Sequence, residues 1–258
     1  ALEIMFERGH QKLTIGSCCL EEFKSTYDKT DFKNFFPNLT EIEIDPDLYG
    51  ESNADAYIRH SYRGGYCYLV KGKENKIYDN GWTADINSSY SSNMSSESGN
   101  YYPVGKPMFW KGDIPKEADN KYYFVRIRCR FNIKEGMLPT VQIKGTLLYN
   151  GTDYLTTSDY YDYQSETYKR YYMKQGVKHD SYVTMTMTCV DYELFLKHYN
   201  PIDLEVLDGC YFMKAIGLFD EYMYKYKEIK ENSVGAEREL AKLYLNNLYG
   251  KFAANDSS

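Results

Sequence analysis

One segment of the chain alternates strictly between apolar and other side chains. In "YFVRIRCRFNI", residues 123–133, the apolar positions are Val125, Ile127, Cys129, Phe131 and Ile133. Because side chains of a strand point to opposite faces in turn, this spacing predicts a β-strand with one buried face. The other face carries three arginines, which either contact a nucleic-acid backbone or form a solvated sheet face; the second interpretation is favoured.

Further elements follow from periodicity and from residues that break structure. Residues 1–36 are predicted mainly helical, with a helix start at Gly16-Ser17 and an end before Pro37. Asp191 is the expected cap of a helix over residues 192–199. Other strands are predicted at 137–149, 181–190 and 204–216, and other helices at 217–232 and 234–252.

Two regions are less regular. Residues 57–70 predict a turn at Gly64-Gly65 and then a strand, which pairs as a hairpin with a strand that ends before Asp85. Residues 154–172 are rich in tyrosine and lack a clean period. They are interpreted as a loop or short hairpin insertion, and this is favoured over an interface for a protein partner.

Composition excludes some classes of protein. The chain has 258 residues, 29 tyrosines and a formal net charge of -6, so it has no general attraction to nucleic acid. Six cysteines without a C-x-x-C pair predict free thiols in a reducing cytoplasm. No apolar run reaches the roughly 18 residues of a membrane span. Both ends interrupt helical patterns, which indicates a fragment of a longer protein.

The stretch "DINSSYSSNM", residues 85–94, places an acid before a run of small hydroxyl residues. An aspartate after a strand, followed by small residues, suits a metal ion or a phosphate. Alternatively Asp85 caps a helix that begins near Ser88, because aspartate and serine satisfy the free amides of a first turn. Taken alone, these ten residues favour the cap.

The last predicted helix, "VGAERELAKLYLNNLYGKF", has one polar stripe. At 100° per residue, Arg238, Lys242, Asn246 and Tyr249 fall within an arc of about 80°. An arginine and a lysine one turn apart can grip a triphosphate. The basic pair alone fits a solvated helix face equally well. The opposite side carries the packing positions Leu240, Ala241, Tyr244, Leu245, Leu248 and Phe252.

Together these two segments resemble two motifs of family B DNA polymerases. "DINSSY" is similar to the D-x-x-S-x-Y motif of the palm, and "KLYLNNLYG" to the K-x-x-x-N-x-x-Y-G motif of the fingers. "YRGG", residues 62–65, is similar to the motif that links exonuclease and polymerase domains in the protein-primed subgroup. "IRCRFNIKEGMLPTVQIK" and "VDYELFLKHY" also resemble that subgroup, which includes the phi29-type phage polymerases, and the likeness runs nearly from end to end.

The resemblance implies nucleotide transfer from a deoxynucleoside triphosphate to a primer hydroxyl with two magnesium ions. It implies that Asp85 is a catalytic, metal-binding carboxylate and that Ile86 offers its backbone carbonyl to the metal. It also implies that Tyr90 lies under the sugar and leaves no room for a 2'-hydroxyl. Ser91 stands where the family usually has proline, so a rigid bend is absent beside that tyrosine.

Other positions match the family's nucleotide and DNA contacts. By resemblance, the triphosphate is held by Lys230, Arg238 and Lys242. The pocket for the nascent base pair is formed by Asn246, Tyr249 and Gly250. Contacts with DNA are made by Tyr62, Arg63, Gly64, Gly65 and Ser88.

The same likeness implies an α+β fold: a palm-type antiparallel sheet with helices, an inserted α/β subdomain and a helical fingers element. It assigns residues 1–24 to the end of an exonuclease domain and a linker, and 25–96 to the first half of the palm. Residues 97–217 match an inserted region that contacts the terminal priming protein, and 218–258 the fingers. The family's second carboxylate motif, Y-x-D-T-D, occurs nowhere in the sequence.

The leading hypothesis is therefore that the chain is part of a monomeric, protein-primed DNA polymerase. This polymerase would be encoded by a phage, prophage or plasmid and act in the cytoplasm of a bacterial host. Its partners are template-primer DNA, deoxynucleoside triphosphates and the priming protein. Without the second motif, the chain alone is expected to be inactive. The alternative is a non-catalytic prophage remnant that still binds DNA or a protein, and a structural tyrosine-rich domain ranks last.

Overall fold

Helices occupy the two ends of the chain and strands its middle in the computed structural model, which describes residues 2–7, 9, 12–70, 72–73, 75–86, 88–143, 154–252 and 254. The helices are α1 Leu2–Glu7, α2 Ile15–Ser25, α3 Lys29–Phe35, α4 Pro46–Tyr49, α5 Ala54–Arg59, α6 Ser89–Met94, α7 Cys189–His198, α8 Asp220–Asn232 and α9 Gly235–Phe252. The strands are β1 Tyr102–Lys111, β2 Tyr122–Ile133, β3 Val141–Gln142, β4 Tyr154–Leu155, β5 Tyr160–Asp162, β6 Thr167–Lys169, β7 Tyr171–Lys174, β8 Val177–Asp180, β9 Val183–Thr188 and β10 Tyr199–Ala215. The expected mixture of helices and antiparallel sheet is confirmed.

The chain divides into two compact units. The helical unit comprises residues 1–37, 80–106 and 213–258, and the sheet unit comprises residues 38–79 and 107–212. Each unit has its own buried apolar cluster. The subdomain boundaries that the resemblance implies stay a prediction.

The core of the helical unit lies among α2, α8 and α9. Phe23 of α2 is completely buried, and its ring stacks on that of Phe219 at a centroid distance of 5.2 Å. Leu240 and Leu248 of α9 are buried on the same cluster. Burial of each such side chain stabilises the fold by about 1.5–3 kcal/mol, so α9 is held chiefly by its apolar face.

The sheet unit is built on a four-stranded sheet with the order β1-β10-β2-β9. Strand β2 pairs antiparallel with both β10 and β9, and Val125, Ile127, Cys129 and Phe131 are fully buried. The predicted alternation is therefore confirmed. Within the tyrosine-rich stretch 154–172, β5 pairs with β6 as a short hairpin, which confirms the hairpin interpretation. A second hairpin, β7 with β8, begins at the end of this stretch and continues to residue 180.

Hydroxyl side chains cap two helices where the sequence suggested other residues. Thr14 Oγ1 accepts the amide N–H of Ser17 at the start of α2, ahead of the expected Gly16-Ser17 start. Thr188 Oγ1 accepts the amide N–H of Asp191 at the start of α7. The prediction of Asp191 as the cap was wrong because the helix begins three residues earlier than expected, so Asp191 lies inside its first turn.

The predicted hairpin between residues 57 and 85 is wrong. Residues 57–59 belong to helix α5, and the described residues from 62 to 86 form no strand. The apolar side chains of this segment are largely exposed, among them Leu69, Ile77 and Trp82. Of the strand predicted at 137–149, only Val141–Gln142 forms a strand. The prediction was wrong for residues 137–140 and 143, which have no regular structure, and residues 144–149 lie outside the described residues.

The six cysteines are free thiols, as predicted from their spacing. Burial raises the pKa of Cys19 to about 11 and that of Cys129 to about 12. In the part of the chain that the structure describes, no helix combines the length and apolar character required to cross a bilayer.

Candidate functional site

Helix α9 buries one face and exposes the other. Arg238, Lys242 and Asn246 are exposed and Tyr249 is half-buried, while the predicted packing positions Leu240 to Leu248 are buried. Phe252, predicted on the packing side, keeps 41% of its surface exposed although its ring contacts that of Phe23. The polar stripe is thus a real surface of the helical unit.

Tyr90 of α6 and Tyr249 of α9 stack on each other. Their ring centroids lie 4.2 Å apart with an angle of 22° between the planes, and Tyr90 remains half-exposed. The contact brings the segment 85–94 and the last helix together across more than 150 residues of sequence. The two motifs paired by resemblance therefore form one surface in the fold.

Ser88 precedes α6 in a left-handed backbone conformation, with φ 53° and ψ 41°. For a residue other than glycine this conformation costs about 1–2 kcal/mol. Its carbonyl oxygen accepts three hydrogen bonds, from the amide of Ser92 at 2.9 Å and from the hydroxyls of Ser92 and Ser91 at 2.6 and 3.0 Å. The serine that replaces the family's proline thus helps to fix this turn.

Lys230, at the end of α8, joins the same cluster. Its Nζ donates to Ser88 Oγ at 3.0 Å, and its backbone carbonyl accepts from Arg238 at 2.9 Å. These bonds connect α6, α8 and α9. They bring Lys230 and Arg238, two of the three residues predicted to bind the triphosphate, next to each other. Lys242 lies exposed one turn further along α9.

A cleft of about 420 Å³ opens beside these residues. The carboxylates of Glu97 and Glu231 line it, together with four serines and three cationic side chains. These are Ser88, Ser91, Ser92, Ser95, Lys227, Lys230 and Arg238. Sequence reasoning did not single out Lys227 or the later serines. The signal was present, because Lys227 and Lys230 are spaced to share one helix face and the serine run continues through α6.

Asp85 is exposed, and it does not cap α6: the N-cap position is Ser88, whose side chain makes no capping bond. The cap interpretation of Asp85 is therefore wrong. Ile86 is 74% exposed. The described residues contain no group of three or more metal-ligating side chains. Asp85 fits a single carboxylate ligand, and these residues do not by themselves complete a two-metal site.

Gly250 has open space above it. Among the described residues, and apart from its chain neighbours and the adjoining backbone of α9, a Cβ atom built at this position would meet no atom within 4 Å. Packing within the chain therefore does not require glycine. The absence of a side chain leaves the backbone of α9 accessible beside Asn246 and Tyr249, which suits a flat ligand group.

The "YRGG" motif lies in the sheet unit. Tyr62 is exposed, and Gly64 and Gly65 are exposed in a segment without regular structure. Arg63 is half-buried and donates to three backbone carbonyls: His60 at 2.6 Å, Tyr62 at 3.1 Å and Thr186 at 3.2 Å. Burial lowers its pKa. Its guanidinium fixes the backbone of this motif, an anchoring role that the sequence did not suggest.

The three arginines of β2 are paired inside the protein. Arg126 binds the fully buried carboxylate of Asp208 through two nitrogens, at 2.9 and 2.5 Å. Arg128 and Arg130 each lie over the ring of Tyr182 and pair with a surface aspartate. The expectation of a solvated sheet face was wrong for Arg126, because its partner is supplied by the neighbouring strand.

Comparison with known proteins decides the family. The family described as "DNA polymerase type B, organellar and viral" matches residues 3–258. The chain belongs to this family. The DNA polymerases of Bacillus phage Nf and Streptococcus phage Cp-1 are 34% and 32% identical to it over 99% and 96% of the chain. The recognised resemblance is thus confirmed.

Solved structures of a family member have the same fold. Phi29 DNA polymerase complexed with primer-template DNA and incoming nucleotide substrates matches 98% of the chain with a TM-score of 0.77 and 33% identity. The same polymerase complexed with single-stranded DNA matches with a TM-score of 0.75. The chain spans about 39% of the length of these relatives.

Proposed function

We propose that the chain is the nucleotide-holding part of a DNA polymerase that adds deoxynucleotides to a DNA primer or a terminal priming protein. The observation that carries this proposal is the contact of Tyr90 with Tyr249, which joins two motifs of the family on one surface of the helical unit. The relatives are named as DNA polymerases, and a related structure holds primer-template DNA and nucleotide.

Each group on this surface has a physical role in the proposal. Lys230, Arg238 and Lys242 bind the oxygens of the triphosphate, because cations and guanidinium groups donate to phosphate. Tyr90 carries the sugar and excludes a 2'-hydroxyl by the position of its ring. No described residue outside the adjoining part of α9 fills the space above Gly250, and the nascent base pair lies there in this proposal, against Tyr249 and Asn246.

The catalytic ions are magnesium in this proposal, and Asp85 with the carbonyl of Ile86 supplies only part of their ligands. A divalent cation neutralises the charge that develops on a triphosphate. The described residues contain no group of three or more metal-ligating side chains, and in this proposal the complete protein supplies the other carboxylates. The 258 residues alone are then inactive. Tyr62 to Gly65 and Ser88 contact DNA, and the complete enzyme acts as a monomer in the cytoplasm of a bacterial host.

The test uses a protein that reaches the length of the relatives, with Asp85→Asn as the variant and Asp79→Asn as the matched control. Asp79 is an exposed aspartate six residues earlier in the chain. Primer extension with magnesium should be lost in Asp85→Asn and kept in the control. Extension at the wild-type rate by Asp85→Asn would exclude Asp85 as a catalytic residue. Absence of extension in the wild type, with DNA still bound, would favour the non-catalytic remnant.

A further inference from the structure

The sheet unit contains a cavity that no role assigned above explains. It has a volume of about 350 Å³ and lies among the "YRGG" motif, strand β3 and helix α7. Its walls are mostly apolar, formed by Val141, Met187, Leu194 and Phe195. An apolar cavity with a few polar groups, at the small end of the roughly 300–1,000 Å³ range, is typical of a site for one small ring system.

One buried polar atom in this cavity has no partner. Gln142 is 8% exposed, and its side-chain carbonyl oxygen accepts no hydrogen bond. A buried acceptor without a donor loses its hydrogen bonds to water and forms none within the protein, so such atoms are rare in folded proteins. Gln142 lines the cavity, and rotation of its buried carbonyl oxygen toward the cavity would let a ligand supply the missing donor.

Two of the neighbouring polar groups are already bonded. Arg63 is fixed by three backbone carbonyls, and the amide N–H of Thr140 donates to the hydroxyl of Tyr199 at 2.8 Å. At the mouth stand two tyrosines, Tyr66 and Tyr154, whose ring centroids lie 4.7 Å apart. The carboxylate of Asp191 also lines the cavity. The cavity therefore combines apolar walls, aromatic rings, one carboxylate and the unpartnered carbonyl oxygen of Gln142.

We propose that this cavity binds one unpaired nucleobase of single-stranded DNA, with an N–H of the base donating to the carbonyl oxygen of Gln142. A base has the flat apolar faces that suit Met187, Phe195 and the tyrosine rings, and every base carries an N–H donor on its edge. The site rests on the proposed function, since it assumes that DNA reaches this unit. It extends that function because it adds contact with a base beside the "YRGG" motif, which the resemblance assigned only to general contacts with DNA.

The experiment compares two oligonucleotides with identical backbones. One is oligothymidylate, and the other carries a methyl group on N3 of every thymine, which removes the only N–H donor of that base. Binding of each to the protein is measured by fluorescence anisotropy at fixed salt, because the backbone contribution depends on salt. The variants are Gln142→Met, which keeps the size and removes the acceptor, and Gln164→Leu as the control. Gln164 is an exposed glutamine outside the cavity.

Wild type and Gln164→Leu should bind the unmethylated strand roughly three- to tenfold more tightly, the worth of one neutral hydrogen bond. Gln142→Met should bind both strands equally. Its melting temperature should not fall, because the substitution removes an unsatisfied acceptor. A role in packing alone would not create a preference between the two strands.

Three outcomes would overturn the base site: equal binding of both strands by the wild type, a preference retained by Gln142→Met, or no binding of either strand. Equal binding would leave the proposed polymerase function intact, since DNA would then be held by its backbone. Failure of primer extension by the full-length protein, with the strand preference present, would instead contradict the polymerase function alone.

Discussion

Single residues decide how the candidate nucleotide surface is held. Ser88 has a strained backbone conformation. Its Oγ accepts a hydrogen bond from the ammonium group of Lys230 at 3.0 Å. Its carbonyl accepts three hydrogen bonds, so the strain is offset locally. The lysine is therefore oriented before any ligand arrives, which reduces the entropy lost on binding.

Lys230 allows a direct test at this scale. In the full-length protein, Lys230→Met should raise KM for deoxynucleoside triphosphates about tenfold or more, because a hydrogen bond from a charged group is lost. Steady-state kinetics with one nucleotide varied would measure this. The control is Lys225→Met on the same helix, whose ammonium pairs with Glu22 at 2.5 Å. A similar rise in KM for both variants would contradict a specific role of Lys230.

At the scale of elements, one buried carboxylate connects several pieces of the sheet unit. Asp208 of β10 accepts hydrogen bonds from Tyr57 of α5 at 2.8 Å, from Lys111 of β1 at 3.0 Å and from Arg126 of β2. Arg126 also donates to the carbonyl of Tyr49, the last residue of α4. Burial and the bond to Asp208 raise the pKa of Tyr57, so its hydroxyl remains a donor.

Removal of this carboxylate should weaken the sheet unit strongly. Asp208→Asn leaves the charge of Arg126 without a counter-ion, and the free energy of unfolding should fall by about 3–5 kcal/mol. Urea unfolding followed by circular dichroism would measure the change. Asp203→Asn is the control: this aspartate is exposed and pairs with Arg130 at 3.1 Å, so the urea midpoint should hardly move. Equal effects of the two substitutions would contradict a special role of Asp208.

The hairpin of β5 and β6 should respond to acid. Asp162 accepts from Lys169, from the hydroxyl of Ser165 and from the amide of Gln164, and these bonds lower its pKa to about 2. A carboxyl whose pKa falls on folding stabilises the fold above its unfolded value, about 3.9. That contribution should disappear as the pH falls from about 4 to about 2. Carboxyl titration by NMR would show the midpoint, and Lys169→Met should return it toward the ordinary value.

Some of these elements were accessible from sequence because their signal is local. The polar stripe of α9 was predicted because its four residues recur at the helical spacing, and β2 was predicted from the strict alternation of apolar residues. The pairing of Arg126 with Asp208 was not accessible, since it joins strands 82 residues apart and depends on register. The segment 62–86 misled because its apolar residues suit a strand, while the described chain offers it no pairing partner.

For the molecule as a whole, the division into two units decides which of the predicted site residues share one compact body. Asp85, Tyr90, Lys230 and the stripe of α9 all belong to the helical unit, whereas the "YRGG" motif belongs to the sheet unit. The D-x-x-S-x-Y and K-x-x-x-N-x-x-Y-G motifs of the family were found from sequence because their residue types and spacing are specific. The cavity at Gln142 was not found, because its walls come from four separate segments of sequence.

The two tryptophans offer a separate probe for each unit. Trp82, in the helical unit, is completely exposed, whereas Trp110 of β1, in the sheet unit, is 8% exposed and donates to the carbonyl of Gly112 at 3.1 Å. Acrylamide should therefore quench the fluorescence of the native chain in two classes, one fully accessible and one protected. Trp82→Phe should leave only the protected class, and Trp110→Phe only the accessible one.

The same probe tests the proposal that this chain belongs to a longer polymerase. The described apolar residues of the 62–86 segment are largely exposed in the 258-residue chain, and the relatives are more than twice as long. If the remainder of such a protein covers this segment, as the exposed apolar surface favours, Trp82 should become protected in a full-length version while Trp110 is unchanged. Equal quenching of Trp82 in the short and the long protein would show that this segment stays in solvent.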